Sequence, residues 1–145
     1  MQIQAASILD LNALRKLSHV CFGSDAWSIF DLIAVLTFPD VTRFKAVDDR
    51  GVMIGFIASD PRPADGAAWI SILGVDPRSQ RQGIGRALIH ACEAQTRQSV
   101  MKLTVRSSNQ GAIALYEKEG YRGVDIWRNY YNDGENGLVM AKNLQ

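Results

Sequence analysis

The stretch QRQGIGRAL, Gln80 to Leu88, contains residue types that can bind an anion. Gly83 and Gly85 stand at the start of an apolar helical pattern, after a short polar run. The first N–H groups of a helix lack intrahelical partners, the helix dipole favours negative charge there, and glycine lets a ligand approach the backbone. The stretch therefore predicts a phosphate-binding helix entrance, and a glycine-rich entrance that binds nothing is the alternative.

Two familiar phosphate-binding motifs do not fit this stretch. A P-loop requires G-x-x-x-x-G-K-[ST], and no Gly-Lys-Ser or Gly-Lys-Thr occurs in the chain. The dinucleotide fingerprint requires a third small residue where this chain has Leu88, and no long doubly wound pattern follows it. The spacing therefore disfavours ATP, GTP and dinucleotides as the bound anion.

The elements that precede this stretch follow from the spacing of apolar residues. A short strand near Ile3 is followed by a helix that Asp10 is expected to cap, and a second helix is expected from about Ser28 to Leu36. RFKAV and VMIGFIAS flank the turn DDRG and predict a hairpin, followed by the loop DPRPADG. AAWISILGV then predicts a strand that ends at Asp76-Pro77, because proline cannot continue a ladder.

The elements after the glycines complete the pattern. A helix is expected from Gly83 to about Gln98, a strand at KLTV, and a helix at QGAIALYEKEG with Gly120 in the C-cap position. YRGVDIW and GLVMAKNL predict two final strands. The order β-α-α-β-β-β-α-β-α-β-β, without linker or repeat, predicts one α/β domain over residues 1–145.

Composition narrows the class of protein. The chain has 145 residues, of which 47% are hydrophobic and 21% charged, which suits one globular domain with a sizeable core. Sixteen Lys and Arg against fifteen Asp and Glu give a net charge of +1, so we expect no nucleic-acid partner. Neither a membrane span nor a basic, apolar leader is present, which predicts a cytoplasmic protein without membrane contact. Cys21 and Cys92 fall at apolar helix positions and predict buried thiols, so no metal site is expected.

Two linked motifs indicate which anion binds. The chain has Q/R-x-x-G-x-G at Gln80, Gly83 and Gly85, and N-x-x-A-x-x-L-Y-x-x-x-G-[FY] from Asn109 to Tyr121. Together they resemble the signature of the Gcn5-related N-acetyltransferase (GNAT) family, whose order of elements is also the one predicted here. The resemblance implies a mixed, mostly antiparallel sheet of about seven strands, splayed in the middle, with about four helices on both faces. It also implies that the anion is the pyrophosphate of acetyl-CoA.

Within that family the chain is most similar to the RimI-like ribosomal-protein alanine N-acetyltransferases. The similarity lies in SSNQGAIALYEKEGY, in RNYY, in GLVMAKNL and in DAWS. It implies transfer of an acetyl group to an amine, most of all the α-amino group of a protein or peptide N-terminus, by direct attack in a ternary complex.

The resemblance assigns cofactor contacts to the strand before the glycines, to the glycine loop and to one asparagine. In the family the strand backbone holds the pantetheine arm and the thioester carbonyl, and the loop backbone wraps the pyrophosphate. The alternatives are packing for Gly74, solvated side chains for Arg81 and Arg86, and a plain helix cap for Asn109. The implied cofactor-binding residues are Leu73, Gly74, Val75, Gln80, Arg81, Gln82, Gly83, Ile84, Gly85, Arg86 and Asn109.

Tyr116 matches the family's tyrosine that protonates the departing coenzyme A thiolate, and a core tyrosine is the alternative. The position of the general base, which would take a proton from the amine, differs from the family pattern. RimI-like enzymes have a glutamate where this chain has Thr104, and another branch pairs a histidine there with a tyrosine at the position of Ala68. Thr104 can orient a water but cannot act as a base. Because an α-amino group has a pKa near ~7.7 to 8.0, a weakly basic amine is the expected acceptor.

RNYYNDGEN, residues 128–136, resembles the loop that closes over the acceptor, with Tyr130 and Tyr131 lining its groove and Trp27 as a further candidate. Packing is the alternative for all three aromatic residues. A small amine is the second expected acceptor, drawn by exposed acids, and a non-catalytic acyl-CoA sensor is the third interpretation. A monomer or a homodimer fits each of them. The acids in question are Asp25, Asp65, Asp133 and Glu135.

Overall fold

A computed structural model describes residues 1–145 and contains seven strands and four α-helices in the predicted order. The strands are β1 (Gln2–Ala5), β2 (Thr42–Val47), β3 (Met53–Arg62), β4 (Ala67–Val75), β5 (Val100–Arg106), β6 (Arg122–Trp127) and β7 (Gly137–Asn143). The helices are α1 (Leu11–Phe22), α2 (Ile29–Thr37), α3 (Ile84–Gln95) and α4 (Gln110–Lys118). None of the helices is both long and apolar enough to cross a membrane.

The strands form one mixed sheet in the order β1-β2-β3-β4-β5-β7-β6. β1 with β2, β2 with β3, β5 with β7 and β6 with β7 are antiparallel pairs. β4 and β5 are parallel, with Ala67–Trp69 in register with Val100–Lys102. A parallel pair needs a crossover connection, and α3 supplies it. The predicted α/β class and strand number are therefore confirmed.

The chain divides into two compact units. Unit 1 comprises Met1–Asp60 and Ser71–Thr96, and unit 2 comprises Pro61–Ile70 and Arg97–Gln145. The strands β3 and β4 therefore contribute residues to both units.

Unit 1 packs helices on both faces of its strands, and β3 shows why. Successive side chains of a strand point to opposite faces of the sheet. Gly55 faces α3 so closely that a Cβ there would lie 3.0 Å from both Ile84 and Leu88. Ser59 also faces α3, with its Oγ 3.0 Å from Cys92 Sγ. Phe56 and Ala58, which point to the other face, belong to the core cluster with α1 and α2, whose buried members also include Leu14, Leu17, Leu32 and Val35.

Unit 2 has one buried sheet face and one half-open face. Along β5, Met101, Leu103 and Val105 are buried. The alternating residues of β5 are only partly covered, and they include Thr104 and Arg106. The half-open face is therefore the one on which unit 2 presents polar groups.

Asp10 stands at the N-cap position of α1, as predicted, but its side chain is used elsewhere. The Asp10 side chain makes no cap hydrogen bond to α1. Instead Asp10 Oδ2 accepts the Ser7 N–H at 2.9 Å, while Ser7 Oγ accepts the Leu9 N–H, which closes a capping box around the preceding 3-10 turn. Lys45 of β2 holds the other carboxylate oxygen of Asp10 at 2.7 Å, which favours this arrangement.

Three element boundaries also differ from prediction. α3 ends at Gln95 rather than Gln98, because Thr96 is extended. β3 continues into the predicted DPRPADG loop through Pro61, and this is tolerated because the β2–β3 register ends at Ser59. Glu119, not Gly120, is the C-cap of α4, and Gly120 follows it with φ +97°.

Candidate active site

The β4–α3 loop, residues 76–83, is anchored in unit 1 at its first residue. The Asp76 N–H donates to the Ile54 carbonyl of β3 at 2.8 Å, and the buried Asp76 carboxylate accepts the Arg78 N–H and guanidinium. These hydrogen bonds from Arg78 hold the pKa of Asp76 below its ordinary range. Asp76 therefore stays ionised and holds the turn that follows β4.

The end of the β4–α3 loop has the geometry that anion binding requires. Arg81 and Gly83 adopt left-handed conformations, with φ +66° and +77°. Gly83 is the N-cap of α3 and provides no side-chain acceptor for the first N–H groups of the helix. A Cβ at Gly83 would meet nothing within 4 Å, so a ligand can approach its backbone. The backbone at this end of the loop is therefore open to an anion.

The other residues predicted to bind the cofactor, in the loop and the first turn of α3, differ in how far their side chains are exposed. Gln80, Arg81, Gln82 and Arg86 are exposed, whereas the Ile84 side chain is buried in unit 1. Ile84 can therefore offer a ligand only its backbone. The strand residues before the loop are the partly covered Leu73 and Val75, with buried Gly74 between them.

Gly74 has a packing role in unit 1. A Cβ at this position would lie 3.1 Å from Cys21 Sγ and 3.2 Å from Phe22 Cζ, so α1 packs directly against this glycine. Burial raises the pKa of the Cys21 thiol to about 11, and the same holds for Cys92. Both thiols are therefore protonated at neutral pH and are poor nucleophiles.

Tyr116 of α4 is buried in unit 2, with 7% of its surface exposed. Its ring meets Tyr121 edge-on, with the centroids 5.8 Å apart. Burial raises the pKa of Tyr116 above its ordinary value, and the Tyr131 phenol raises it further. The hydroxyl therefore remains protonated over the whole neutral and mildly alkaline range.

Thr104 and Tyr130 meet at Gly137, the first residue of β7. Thr104 and Arg106 share the half-open face of β5, and Arg106 is in register with Gly137. A Cβ at Gly137 would lie 2.7 Å from Thr104 Cγ2 and 3.3 Å from Tyr130 Cδ2. Only glycine fits here, so Tyr130 can pack over the strand beside Thr104.

A chain of aromatic rings continues from this point along unit 2. Trp69 stacks on Trp127 with the centroids 5.6 Å apart, Trp127 lies 5.2 Å from Tyr130, and Tyr130 meets Tyr131 edge-on at 5.0 Å. Offset and edge-on geometries are the favourable ones for aromatic pairs. The two tyrosines predicted to contact the acceptor therefore belong to an ordered array of aromatic rings. Within it, Tyr130 has 52% of its surface exposed.

Comparisons with known proteins identify the family of the chain. The model of the acetyltransferase (GNAT) family matches residues 11–121. The chain belongs to this family. Among solved structures, the ribosomal-protein-S18-alanine N-acetyltransferase from Escherichia coli matches this GNAT chain with a TM-score of 0.87 and 30% identity, covering 99% of this chain and 94% of that one. The resemblance indicated by the two motifs is therefore confirmed.

Two curated relatives of this GNAT chain are N-acetyltransferases by name. The N-alpha-acetyltransferase RimI of Mycobacterium tuberculosis is 40% identical over 123 residues, covering 83% of this chain and 77% of the relative. The ribosomal protein bS18-alanine N-acetyltransferase of Escherichia coli K12 is 47% identical over 75 residues, covering 48% of this chain and 51% of the relative. The chain thus spans about half the length of that last relative.

The remaining predicted residues of this GNAT chain fall in separate surroundings. Asn109 caps α4, with its Oδ1 accepting the Ala112 N–H at 3.1 Å. Trp27 packs against the core cluster of unit 1. Ala68 is in register with Met101, so it points to the face of the sheet opposite to Thr104. Ala68 and Thr104 therefore do not form one base site.

Sequence reasoning missed three residues of the site: Arg106, Trp127 and Gly137. Arg106 contacts both acids of the β6–β7 loop, residues 128–136, with its Nη1 2.9 Å from Asp133 Oδ2 and 2.9 Å from Glu135 Oε1. The sequence signal that could have indicated this ion pairing was charge, because the nine-residue loop contains two acids and an arginine stands at the end of a strand. Gly137 at a strand start signalled a close approach.

Proposed function

We propose that this chain is an acetyl-CoA-dependent N-acetyltransferase whose acceptor is the α-amino group of a protein or peptide N-terminus. The observation that carries the proposal is that Thr104 and Tyr130 both lie against Gly137, with Tyr131 edge-on to Tyr130. Tyr130 packs beside Thr104 over Gly137, and the Tyr131 phenol acts on the pKa of Tyr116. Family membership supports acyl transfer, and the names of the curated relatives support an α-amino acceptor.

Acetyl-CoA, when bound, supplies the acetyl group as a thioester and leaves as coenzyme A. In this proposal the backbone of the β4–α3 loop and the first turn of α3 hold its pyrophosphate, and exposed Arg81 and Arg86 add positive charge. The backbone of Leu73–Val75 holds the pantetheine arm, and Asn109 provides a further polar contact. Besides this proposed contact with the pantetheine arm, Gly74 packs against α1.

Tyr116 is the proposed general acid. It holds a proton at Oη, because burial keeps its pKa above the ordinary tyrosine value, and it donates that proton to the departing sulfur. In the balanced reaction the acceptor nitrogen bonds to the acetyl carbon and releases one proton to water, while the carbon–sulfur bond breaks and the sulfur gains one proton from Tyr116. The proton then returns to Tyr116 from solvent.

The amine is proposed to arrive in its neutral form, because Thr104 has no basic group. An α-amino group has a pKa near ~7.7 to 8.0 and a lysine side chain one near ~10.4, so neutralising the lysine costs about 3.5 kcal/mol more. Thr104 orients a water or the amine itself through its hydroxyl. The absence of a carboxylate at this position thus favours α-amino acceptors over lysine.

The charges of unit 2 support a peptide acceptor over a polyamine. Asp133 and Glu135 are both paired with Arg106, and Asp65 accepts the Trp69 Nε1–H at 3.1 Å. These acids therefore have protein partners and are poorly suited to attract a polycation. The exposed ring of Tyr130, in contrast, suits the uncharged parts of a peptide.

The test is release of free thiol from acetyl-CoA with short peptides of different N-terminal residues. Peptides that are blocked at the N-terminus but contain lysine provide the matched control, with polyamines and free amino acids alongside. We expect free N-termini to react about a hundred-fold faster than lysine side chains at about pH 7.5, since their neutral fraction differs by that order. Equal rates would contradict the α-amino assignment, and tight acetyl-CoA binding without any thiol release would indicate an acyl-CoA sensor.

A further inference from the structure

The β6–β7 loop is closed by its own hydrogen bonds. The Tyr131 N–H donates to the Glu135 carbonyl at 3.1 Å, and the Gly134 N–H donates to the Tyr131 carbonyl at 2.9 Å. Gly134 turns the chain with φ +88°. Tyr131 therefore stands at the base of a compact turn whose two acids, Asp133 and Glu135, project from the same short segment.

One side chain from outside the loop contacts three positions in it. Arg106 Nη1 lies 2.9 and 3.1 Å from the two oxygens of Asp133 and 2.9 Å from Glu135 Oε1. The same guanidinium lies over the Tyr131 ring, 4.2 Å from its centroid. A guanidinium is planar, so it can stack on a ring while its edge binds carboxylates, and an ammonium group cannot do both.

The end of β5 adds backbone contacts to the same loop. Glu135 Oε2 accepts the Ser108 N–H at 2.8 Å, and the Ser107 N–H donates to the Asn136 carbonyl at 3.1 Å. Hydrogen bonds from Ser108, together with Arg106, hold the pKa of Glu135 below its ordinary value. Both carboxylates therefore stay ionised at neutral pH, and the Arg106 contacts persist there.

The hairpin itself does not depend on Arg106. β6 and β7 are joined by their own register, which runs from Arg122–Ala141 to Trp127–Gly137. Arg106 acts beyond that register, on the turn that carries the two tyrosines. Its guanidinium lies over the Tyr131 ring, and Tyr131 in turn meets Tyr130 edge-on at 5.0 Å.

We propose that Arg106 is a positioning residue that holds the β6–β7 loop, through Asp133, Glu135 and Tyr131, in the conformation that receives the acceptor peptide. This inference rests on the proposed function for the identity of the acceptor. Arg106 does not take part in the chemical step. It keeps Tyr130 and Tyr131 in place before the peptide arrives, so binding does not have to order the loop.

The test compares Arg106→Gln and Arg106→Lys with the unmodified chain. Three quantities are measured: KM for a peptide acceptor, KM for acetyl-CoA, and hydrogen exchange of the amides in residues 128–136. For Arg106→Gln we expect the peptide KM to rise about ten-fold and the loop amides to exchange about ten-fold faster, with the acetyl-CoA KM within about two-fold. Arg106→Lys restores the charge but not the combined stacking and bridging, so it recovers only part of both losses.

Arg50→Gln is the matched control, because Arg50 is an exposed arginine of unit 1 whose carboxylate partner is 4.0 Å away. It should leave all three quantities unchanged. Unchanged loop exchange and peptide KM in Arg106→Gln would overturn the proposal, as would a fall in kcat alone. If Arg106→Gln does not fold, the double variant Asp133→Asn, Glu135→Gln removes the two carboxylates that Arg106 binds. Its loop exchange and peptide KM then test the proposal in the same way.

The outcomes also separate this inference from the proposed function. If the unmodified chain acetylates no peptide, the proposed function fails. The exchange comparison between Arg106→Gln and the unmodified chain then still decides whether Arg106 orders the loop, and unchanged exchange overturns the inference.

Discussion

The β4–α3 loop of unit 1 and the β6–β7 loop of unit 2 are built in different ways. Both contain left-handed residues, Arg81 and Gly83 in the first and Asn129 and Gly134 in the second. The first, however, leads into a glycine N-cap, and its Asp76 carboxylate is held by the nearby Arg78. The second is held by side chains from a distant strand, since Arg106 reaches partners 27 and 29 residues away. Damage to the first should therefore act through local backbone strain, and damage to the second through lost contacts.

If the two loops separately hold the cofactor and the acceptor, Tyr116 should affect turnover without affecting either binding step. Tyr116→Phe removes only the proposed proton donor. We expect kcat to fall about a hundred-fold, the usual contribution of a positioned general acid, with both KM values within about two-fold. Free-thiol release under saturating acetyl-CoA and peptide measures this.

Tyr121→Phe is its control, because Tyr121 is a buried tyrosine that meets Tyr116 edge-on. It should keep kcat within about two-fold. Equal losses in both variants would indicate a packing role for Tyr116.

The pH profile sharpens the same assignment. Since burial keeps the pKa of Tyr116 above its ordinary value, the acid form persists as the pH rises. The rate should therefore increase as the α-amine loses its proton near pH ~8 and should not decline before about pH 10. A decline that begins near pH 8 would assign the acid to another group.

Gly137→Ala should damage the acceptor side by crowding. The new Cβ would lie 2.7 Å from Thr104 Cγ2, and we expect a loss of about 2 kcal/mol in the free energy of unfolding, together with a higher peptide KM. Denaturant unfolding and peptide kinetics measure the two effects. Adding Thr104→Ser removes the methyl group in the way and should recover most of the stability.

Gly123→Ala is the comparison for this variant, because its Cβ meets only the end of the flexible Leu138 side chain at 3.2 Å. Its cost should be clearly smaller. A Gly137→Ala variant as stable as Gly123→Ala would show that Thr104 can move away.

Gly83→Ala should affect the cofactor side through the backbone alone. The open space around Gly83 excludes a clash, so the expected cost is that of a left-handed alanine, about 1 kcal/mol. Gly66 has nearly the same φ, +69°, and equally open space, so Gly66→Ala should lose the same stability.

Only Gly83→Ala should also raise the acetyl-CoA KM, by about ten-fold, because only Gly83 opens the anion site. Thermal unfolding and initial rates at varied acetyl-CoA separate the two effects. An equal KM change in Gly66→Ala would mean that the loss reflects stability and not the site.

The smallest expected effects concern Asn109. Asn109→Ala should lose about 1 kcal/mol of stability, because the cap of α4 is removed. Asn109→Ser should restore the cap, and so the stability, but not a cofactor contact. A raised acetyl-CoA KM in both variants supports the cofactor role, and a normal KM in Asn109→Ser assigns Asn109 to capping alone.

Most of the fold could be predicted from the sequence because its signals are local. β4 ends at Val75, just before Asp76-Pro77, and α2 begins after its cap Ser28. One expectation that failed, the Asp10 side-chain cap, depends on a partner elsewhere in the chain. Asp10 satisfies the local pattern of a cap, but Lys45, 35 residues away, and the preceding turn hold its carboxylate.

The candidate site divides in the same way. The spacing of the two motifs was enough to indicate the family, the glycine loop and Tyr116, and the family is confirmed. The packing of Cys21 against Gly74, in contrast, joins residues that the sequence leaves unrelated. Neither motif signals that α1 would need a glycine there.

The sequence by itself determined the order of the elements, the glycine-rich entrance to α3 and the family of the chain, because apolar periodicity and motif spacing depend on neighbouring residues. The tertiary structure decided which side chains meet: Tyr130 beside Thr104 over Gly137, and Arg106 on the acids of the β6–β7 loop. Such pairs depend on sheet register, and register brings together residues that are far apart in the chain.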